Sequence, residues 1–160
     1  MQLNQKGNNY QVQSNSYFES EGDTNSKLEK VLLEDDLFNH IRINPKNLPQ
    51  GEVKMIPSTL FARLRHINFK VENATTSLEA NGNEMVYSVQ YKSIDRKLVI
   101  NFEKAFPHEI LSWSESNKSG FGPNAKTLTT TATKKKSLLL DYWSKHDIAD
   151  TKYRKELGLE

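Results

Sequence analysis

The sequence predicts a mainly β chain: an antiparallel meander, curled or half closed like a small barrel, with an early helical insert and a short C-terminal helix. Three observations carry this expectation. Residues 52–116 alternate apolar and polar side chains in short runs, with no room for the helix that a doubly wound fold needs between successive strands. Asn81-Gly82-Asn83 separates two such runs and is a hairpin signal, because Asn and Gly tolerate the positive φ of a tight turn. The apolar share is 36%, below the ~45–50% usual for globular chains. Asn, Ser, Thr and Lys take up the difference, which suits a sheet with one wet face.

Taken in order, residues 10–19 (YQVQSNSYFE) predict a strand with Tyr10, Val12, Ser14, Ser16 and Phe18 on one face. SEGDTNS is a loop. From Lys27 the period lengthens: Leu28, Val31 and Leu32, then Phe38 and Ile41 behind a capping Asp35, predict a helix or two short turns across 27–41. Pro45 and Pro49 end it. Consecutive strands follow at 52–57, 59–66, 69–80, 84–93, 96–104, 109–116 and 127–136. In 84–93, Met85, Tyr87, Val89 and Tyr91 share a face; in 96–104, Leu98, Ile100 and Phe102 do; in 109–116, Ile110 and Trp113 are the anchors. SLLLDYW (137–143) is a short apolar run of undecided type. The end reads as a short helix capped by Asp147 or Asp150 and stopped by Gly158.

A chain of 160 residues suits one domain and buries about 70% of its unfolded surface without a metal or disulfide staple. Cysteine is absent, which excludes disulfides, thiolate metal sites and a Cys nucleophile. No apolar run approaches the ~18 residues of a membrane-crossing helix, and the first twenty residues lack the pattern of a signal peptide.

Net charge is only +2 but unevenly spread. Residues 1–40 carry seven acids against three lysines. Residues 117–136 carry Lys118, Lys126, Lys134, Lys135 and Lys136 and no acid, the most anion-facing stretch of the chain. Within it, Gly-Phe-Gly-Pro-Asn-Ala-Lys-Thr from Gly120 approaches the phosphate-loop pattern, with Ala125 in place of its second glycine. That pattern works only with a strand before it and a helix straight after it. Here SESNKS precedes and a Thr-rich, extended-looking LTTTAT follows, so the plainer reading is a turn between strands, with Phe121 as its lid or anchor. Phe121, Tyr142 and Trp143 near the lysines could stack on bases, although Lys134 and Lys136 share a strand face that Lys135 does not.

His40, His66, His108 and His146 have no metal-ligand spacing, EGDTNS lacks the oxygen pattern of a calcium loop, and no G-x-S-x-G elbow occurs. No metal, cofactor or catalytic set is implied.

Several phrases together carry a resemblance: SYFESEGD (16–23), LPQGEVKMIPS (48–58), FPHEILSWSES (106–116), the stretch 119–143, and YRKELGL (153–159). The chain resembles an uncharacterised family of Bacteroidetes proteins often given the borrowed label "septum formation inhibitor Maf". It matches the C-terminal part of longer members that begin with an exported or lipoprotein-type leader. The resemblance implies a cell-envelope or periplasmic location for full-length relatives, and the expectation that this chain corresponds to their C-terminal part. It implies no activity. True Maf nucleotide pyrophosphatases carry a Ser-x-Ser-Pro-Arg-Arg signature, which is missing here, so no catalytic residue transfers.

Three functional readings result. The first is a non-enzymatic envelope domain binding a small molecule or a partner protein, with Tyr87, Tyr91, Phe102 and Trp113 lining a pocket in the sheet's curl. The second is a hydrolase or phosphate-handling enzyme built on the 119–127 loop around Lys126 and Thr127. The third, less favoured, is nucleic-acid binding through Lys118, Lys126, Lys134, Lys135 and Lys136. The strand at Tyr10, or its neighbour, is expected at an open edge where a second copy would pair.

Overall fold

The computed structural model describes residues 1–17, 22–120 and 122–159. Phe18 and Glu19, at the end of the first expected strand, and Phe121 lie outside them. The expected class holds: the described residues form two sheets dominated by antiparallel pairing, with helices early and late and no closed barrel. A three-stranded sheet has the order β1 (Gln2–Lys6), β2 (Asn9–Ser14), β3 (Thr24–Glu29). A seven-stranded sheet follows in unbroken chain order. It comprises β4 (Leu32–Leu33), β5 (Gly51–Ile56), β6 (Glu72–Asn81), β7 (Glu84–Tyr91), β8 (Arg96–Glu103), β9 (Ile110–Ser119) and β10 (Lys126–Thr133).

Local chemistry explains these elements. Two hairpins use the same Gly-Asn pair: Lys6 faces Asn9 across Gly7-Asn8, and Asn81 faces Glu84 across Gly82-Asn83. Gly7 and Gly82 sit at φ +57° and +61°, where a Cβ would be strained. The parallel pair β4–β5 requires a crossover of a dozen or more residues. That crossover supplies a 3-10 turn (Glu34–Asp36), α1 (Leu37–Ile43) and a second 3-10 turn (Pro45–Asn47).

Two expectations are corrected and a third is narrowed. Residues 27–29 and 32–33 are strand rather than helix: Leu28 pairs with Tyr10, and Leu32 with Met55, so lateral pairing overrides the helical spacing. Residues 59–66 are not a strand, because Thr59–Leu64 form α2. Leu60 and Leu64, whose alternation with Ala62 suggested a strand, are 66% and 69% exposed, while Phe61 and Ala62 are buried. Of the strand at Tyr10 and its neighbour, expected at an edge, it is the neighbours that lie there: β2 pairs on both sides, and β1 and β3 hold the edges of that sheet.

Register decides which face is core. Leu78, Tyr87, Ile100, Trp113 and Ala132 form one row across β6 to β10, and Thr76, Val89, Leu98, Glu115 and Thr130 the next. Leu37 and Ile41 of α1 are fully buried in the same cluster as Tyr87, Val89, Leu98 and Ile100. The opposite face carries Ser77, Ser88, Val99, Ser114 and Thr131 in one row and Thr75, Gln90, Lys97, Ser116 and Thr129 in another. Its hydroxyls bond across strands, with Ser77 to Ser88 at 2.8 Å and Ser116 to Thr129 at 2.7 Å. This is the wet face that the composition anticipates.

The C-terminal part has a 3-10 turn at Ile148–Thr151 and α3 (Lys152–Glu156). The Asp147 N–H donates to Asp150 Oδ2 at 3.2 Å.

Candidate functional site

The four aromatic residues expected around a pocket all lie on the core face, where α1 covers it. Tyr87, Tyr91 and Phe102 are 0% exposed and pack within the main cluster. Tyr87 donates its hydroxyl to the Pro49 carbonyl at 3.0 Å, which pins the loop after α1 to the sheet. Trp113 is the exception. It is half-buried, packs against the cluster, and stands one strand from the end of the sheet.

Beside Trp113 is a shallow slot of about 310 Å³. Phe38 from α1, Ile110, Leu111 and Trp113 from β9, and Ala132 from β10 line it. It exists because of two local features. The Ile100–Trp113–Ala132 row ends on a residue too small to fill the space beside an indole. The β8–β9 register also shifts between Asn101 and Phe102, so that Phe102 opposes Ile110 while Asn101 opposes Ser112. The extra residue is Leu111, a β-bulge that re-aims side chains at the sheet margin.

The slot borders β10, the end of the sheet. Each of its eight residues pairs with β9, and no strand lies on its other side among the described residues. From Thr127 to Thr133 the strand carries no charge, and it is largely exposed. Lysines stand at both ends: Lys126 opens it, and Lys134, Lys135 and Lys136 follow it.

The structure does not gather the five lysines. Lys118 pairs with Thr127, so Lys118 and Lys126 project from opposite faces. Lys134 forms an ion pair with Glu109. Lys135 and Lys136 are exposed beyond the strand. The 119–127 loop closes through a 3-10 turn at Gly122–Asn124 and passes into β10 rather than a helix, so no helix N-terminus faces the place a phosphate would occupy. The Arg65 guanidinium donates to the Lys118 carbonyl and, at 3.4 Å, to Ser119 Oγ, which ties this end of β9 to α2.

The most strongly perturbed groups lie in the interior. Arg96 is 1% exposed. It donates to both carboxylate oxygens of Glu34 (2.6 Å to Oε1) and to Glu115 Oε2 at 3.1 Å. Its guanidinium lies 4.4 Å from the Phe61 ring centroid and 5.7 Å from that of Tyr91. Burial works against its charge, but the bonds to Glu34 and Glu115 prevail and hold its pKa above the ordinary arginine value. The Tyr91 hydroxyl is buried with no hydrogen-bond partner in bonding geometry, although the Glu34 carboxylate is near. Burial first, and then that negative charge, raise its pKa far above the tyrosine range. Arg96 and Glu34 of this cluster are buried, and Glu115 at its margin is partly exposed. The cluster is built to hold α1 and α2 in place rather than to meet a ligand.

Among the described residues no group of three or more His, Asp or Glu is placed to hold a metal ion, and no helix is long and apolar enough to cross a membrane. The edge site was only partly legible in the sequence: Trp113 and Ile110 stood out as anchors, whereas Phe38 and Ala132 join them only through register and the α1 crossover. Comparisons with protein-family models, curated proteins and solved structures find no match for this chain.

Proposed function

We propose that this chain is a non-catalytic β domain that binds an extended segment of a partner protein along β10. The observation that carries the reading is the pairing order: β10 is bonded to β9 over its whole length, and among the described residues no strand pairs with its other side. A row of unpaired N–H and C=O groups recruits a further strand, and the neighbouring pocket supplies side-chain selectivity. β1 is also an edge, but it is shorter and carries Leu3 as its only apolar residue. The lysines at the two ends of β10 favour a partner segment with an uncharged, β-branched middle and acidic flanks, one of whose apolar side chains enters the slot beside Trp113. Placement of that partner in the cell envelope rests on the family resemblance alone.

The test is selection of peptides of that pattern from a display library, followed by hydrogen exchange on the complex. Slowed exchange of β10 amides, together with loss of binding in Ala132→Arg, supports the reading. Protection confined to another element, or equal binding by Ala132→Arg, overturns it. Light scattering across concentrations covers the other occupant: a dimer abolished by Ala132→Arg would make the bound strand that of a second copy.

A further inference from the structure

We infer that the segment from Lys134 to Ile148 is a membrane-surface anchor that seats its aromatic and aliphatic side chains among anionic lipid headgroups. The segment contributes little to the core. Leu139 is 105% exposed, Tyr142 75%, Trp143 71% and Ile148 91%. The hydrogen bonds that shape its turn are local: Tyr142 N–H to the Leu140 carbonyl at 2.9 Å, Ser144 N–H to Asp141 at 2.9 Å, and Lys145 N–H to Tyr142 at 3.0 Å. Exposed apolar side chains concentrated within ten residues of chain, two of them in ring contact, suit an interaction site.

The chemistry of the segment selects the partner. Trp and Tyr are the side chains that settle at a lipid–water boundary, with an apolar body and a polar tip. Here they are adjacent, with ring centroids 5.5 Å apart. Lysines precede them. Lys134 is ion-paired to Glu109, which leaves Lys135 and Lys136 exposed to meet anionic headgroups. Asp141, the acid within the apolar run, is offset by Lys145 at 3.1 Å and bonded by the Ser144 hydroxyl. A few apolar side chains bind a bilayer weakly, as do two lysines. Together they supply the two signals that stable surface attachment requires. Helix-in-groove docking on a partner protein would call for an amphipathic helix with apolar anchors over at least two turns, whereas only a three-residue 3-10 turn, Tyr142–Ser144, forms at the aromatic pair.

Co-sedimentation of the full chain with vesicles tests this. Vesicles of equal parts phosphatidylcholine and phosphatidylglycerol should bind it, with binding about tenfold or more weaker on phosphatidylcholine alone and weakened by salt. Lys135→Glu/Lys136→Glu should lose about tenfold, and Leu139→Ser/Tyr142→Ser/Trp143→Ser should lose binding. Both variants should keep the parent circular dichroism, because every altered side chain is exposed. In a Trp113→Phe background, Trp143 emission should shift to the blue on the anionic vesicles. Absence of sedimentation with anionic vesicles overturns the inference, as does binding that survives the triple serine variant. Competition by inorganic phosphate at constant ionic strength would make this an anion site rather than a lipid one. Self-association that the serine variant abolishes, without vesicle binding, would make it a protein contact. Either result also overturns the inference.

Discussion

Arg96 on β8 and Glu34 at the head of the α1 crossover are joined two-handed in the interior, 62 positions apart in the chain. Their exposures are 1% and 3%. Arg96 fits that role because its planar fork matches both carboxylate oxygens and its flat face stacks on Phe61. Glu115, which is partly exposed, takes a further donor. The pair thereby fastens the crossover to the middle of the sheet, and Phe61 adds α2 to the same point.

Breaking this pair should be costly. Arg96→Ala leaves the Glu34 carboxylate buried and unpaired, and should lower stability by about 3–5 kcal/mol. Arg96→Met combined with Glu34→Leu removes both charges and should recover at least about 2 kcal/mol of that loss, because a well-packed apolar pair is often as good as a buried ion pair. Urea unfolding midpoints at constant m-value decide it. A double variant as unstable as Arg96→Ala would show that the charges do more than neutralise one another.

Tyr91 supplies a prediction in pH. Its hydroxyl is buried without a partner, so Tyr91→Phe should leave stability at neutral pH within about 0.5 kcal/mol of the parent or raise it by up to about 1 kcal/mol. Burial raises the pKa of both Tyr91 and Tyr87 in the folded state. Below the unfolded tyrosine value of about 10, both states keep the phenolic proton and stability is unaffected. Above it the unfolded chain releases the proton while the folded chain retains it, so stability falls as pH rises, by at most ~1.4 kcal/mol per pH unit for each such tyrosine. Tyr91→Phe should therefore flatten the alkaline decline measured by chemical denaturation between about pH 9.5 and 11.5. An unchanged slope would mean that the hydroxyl ionises freely in the folded protein.

What the sequence disclosed, and what it hid, follows the range of each interaction. β7 and β8 were legible because Tyr87, Val89, Tyr91 and Leu98, Ile100, Phe102 alternate within one strand, and the Gly82-Asn83 turn between neighbours is local. β1 was hidden because QLNQK has a single apolar residue, although Gly7-Asn8 repeats the turn seen at Gly82-Asn83. α2 was hidden because Leu60, Ala62 and Leu64 alternate by coincidence. Ser58 after Pro57 was the available start signal. The slot beside Trp113 and the Arg96–Glu34 pair depend on register and on a parallel crossover, and no short window of sequence contains either.

Asp35 shows the same long reach. It was expected to cap the helix that follows it, yet its Oδ2 accepts from the Thr59 N–H at 3.0 Å and from the Thr59 hydroxyl at 2.7 Å, at the start of α2. The local cap Ser58 accepts from Phe61 N–H only at 3.5 Å, the long end of hydrogen bonding. Asp35→Ala should therefore cost about 1–2 kcal/mol and Ser58→Ala about 0.5 kcal/mol, the reverse of what the local sequence suggests. Thermal midpoints of the two variants compare them directly. A larger loss for Ser58→Ala would put the cap back with the residue adjacent to the helix.

The last prediction concerns the free edge. β10 is an exposed strand whose interior, Thr127 to Thr133, has no charge to deter pairing with another chain. Natural edges are commonly blunted by an inward lysine, and here the lysines sit only at the ends. Thr131 is the place to add one, since it lies on the wet face opposite Ser114 and away from the slot. Thr131→Lys should change folding stability by no more than about 0.5 kcal/mol, as usual for an exposed position. It should also slow concentration-dependent association measured by light scattering on prolonged incubation. Parent and variant associating at the same rate would locate the sticky surface elsewhere, with β1 the next edge to alter. A loss of stability well beyond that range would show that Thr131 is held in the sheet by more than its pairing with Ser114.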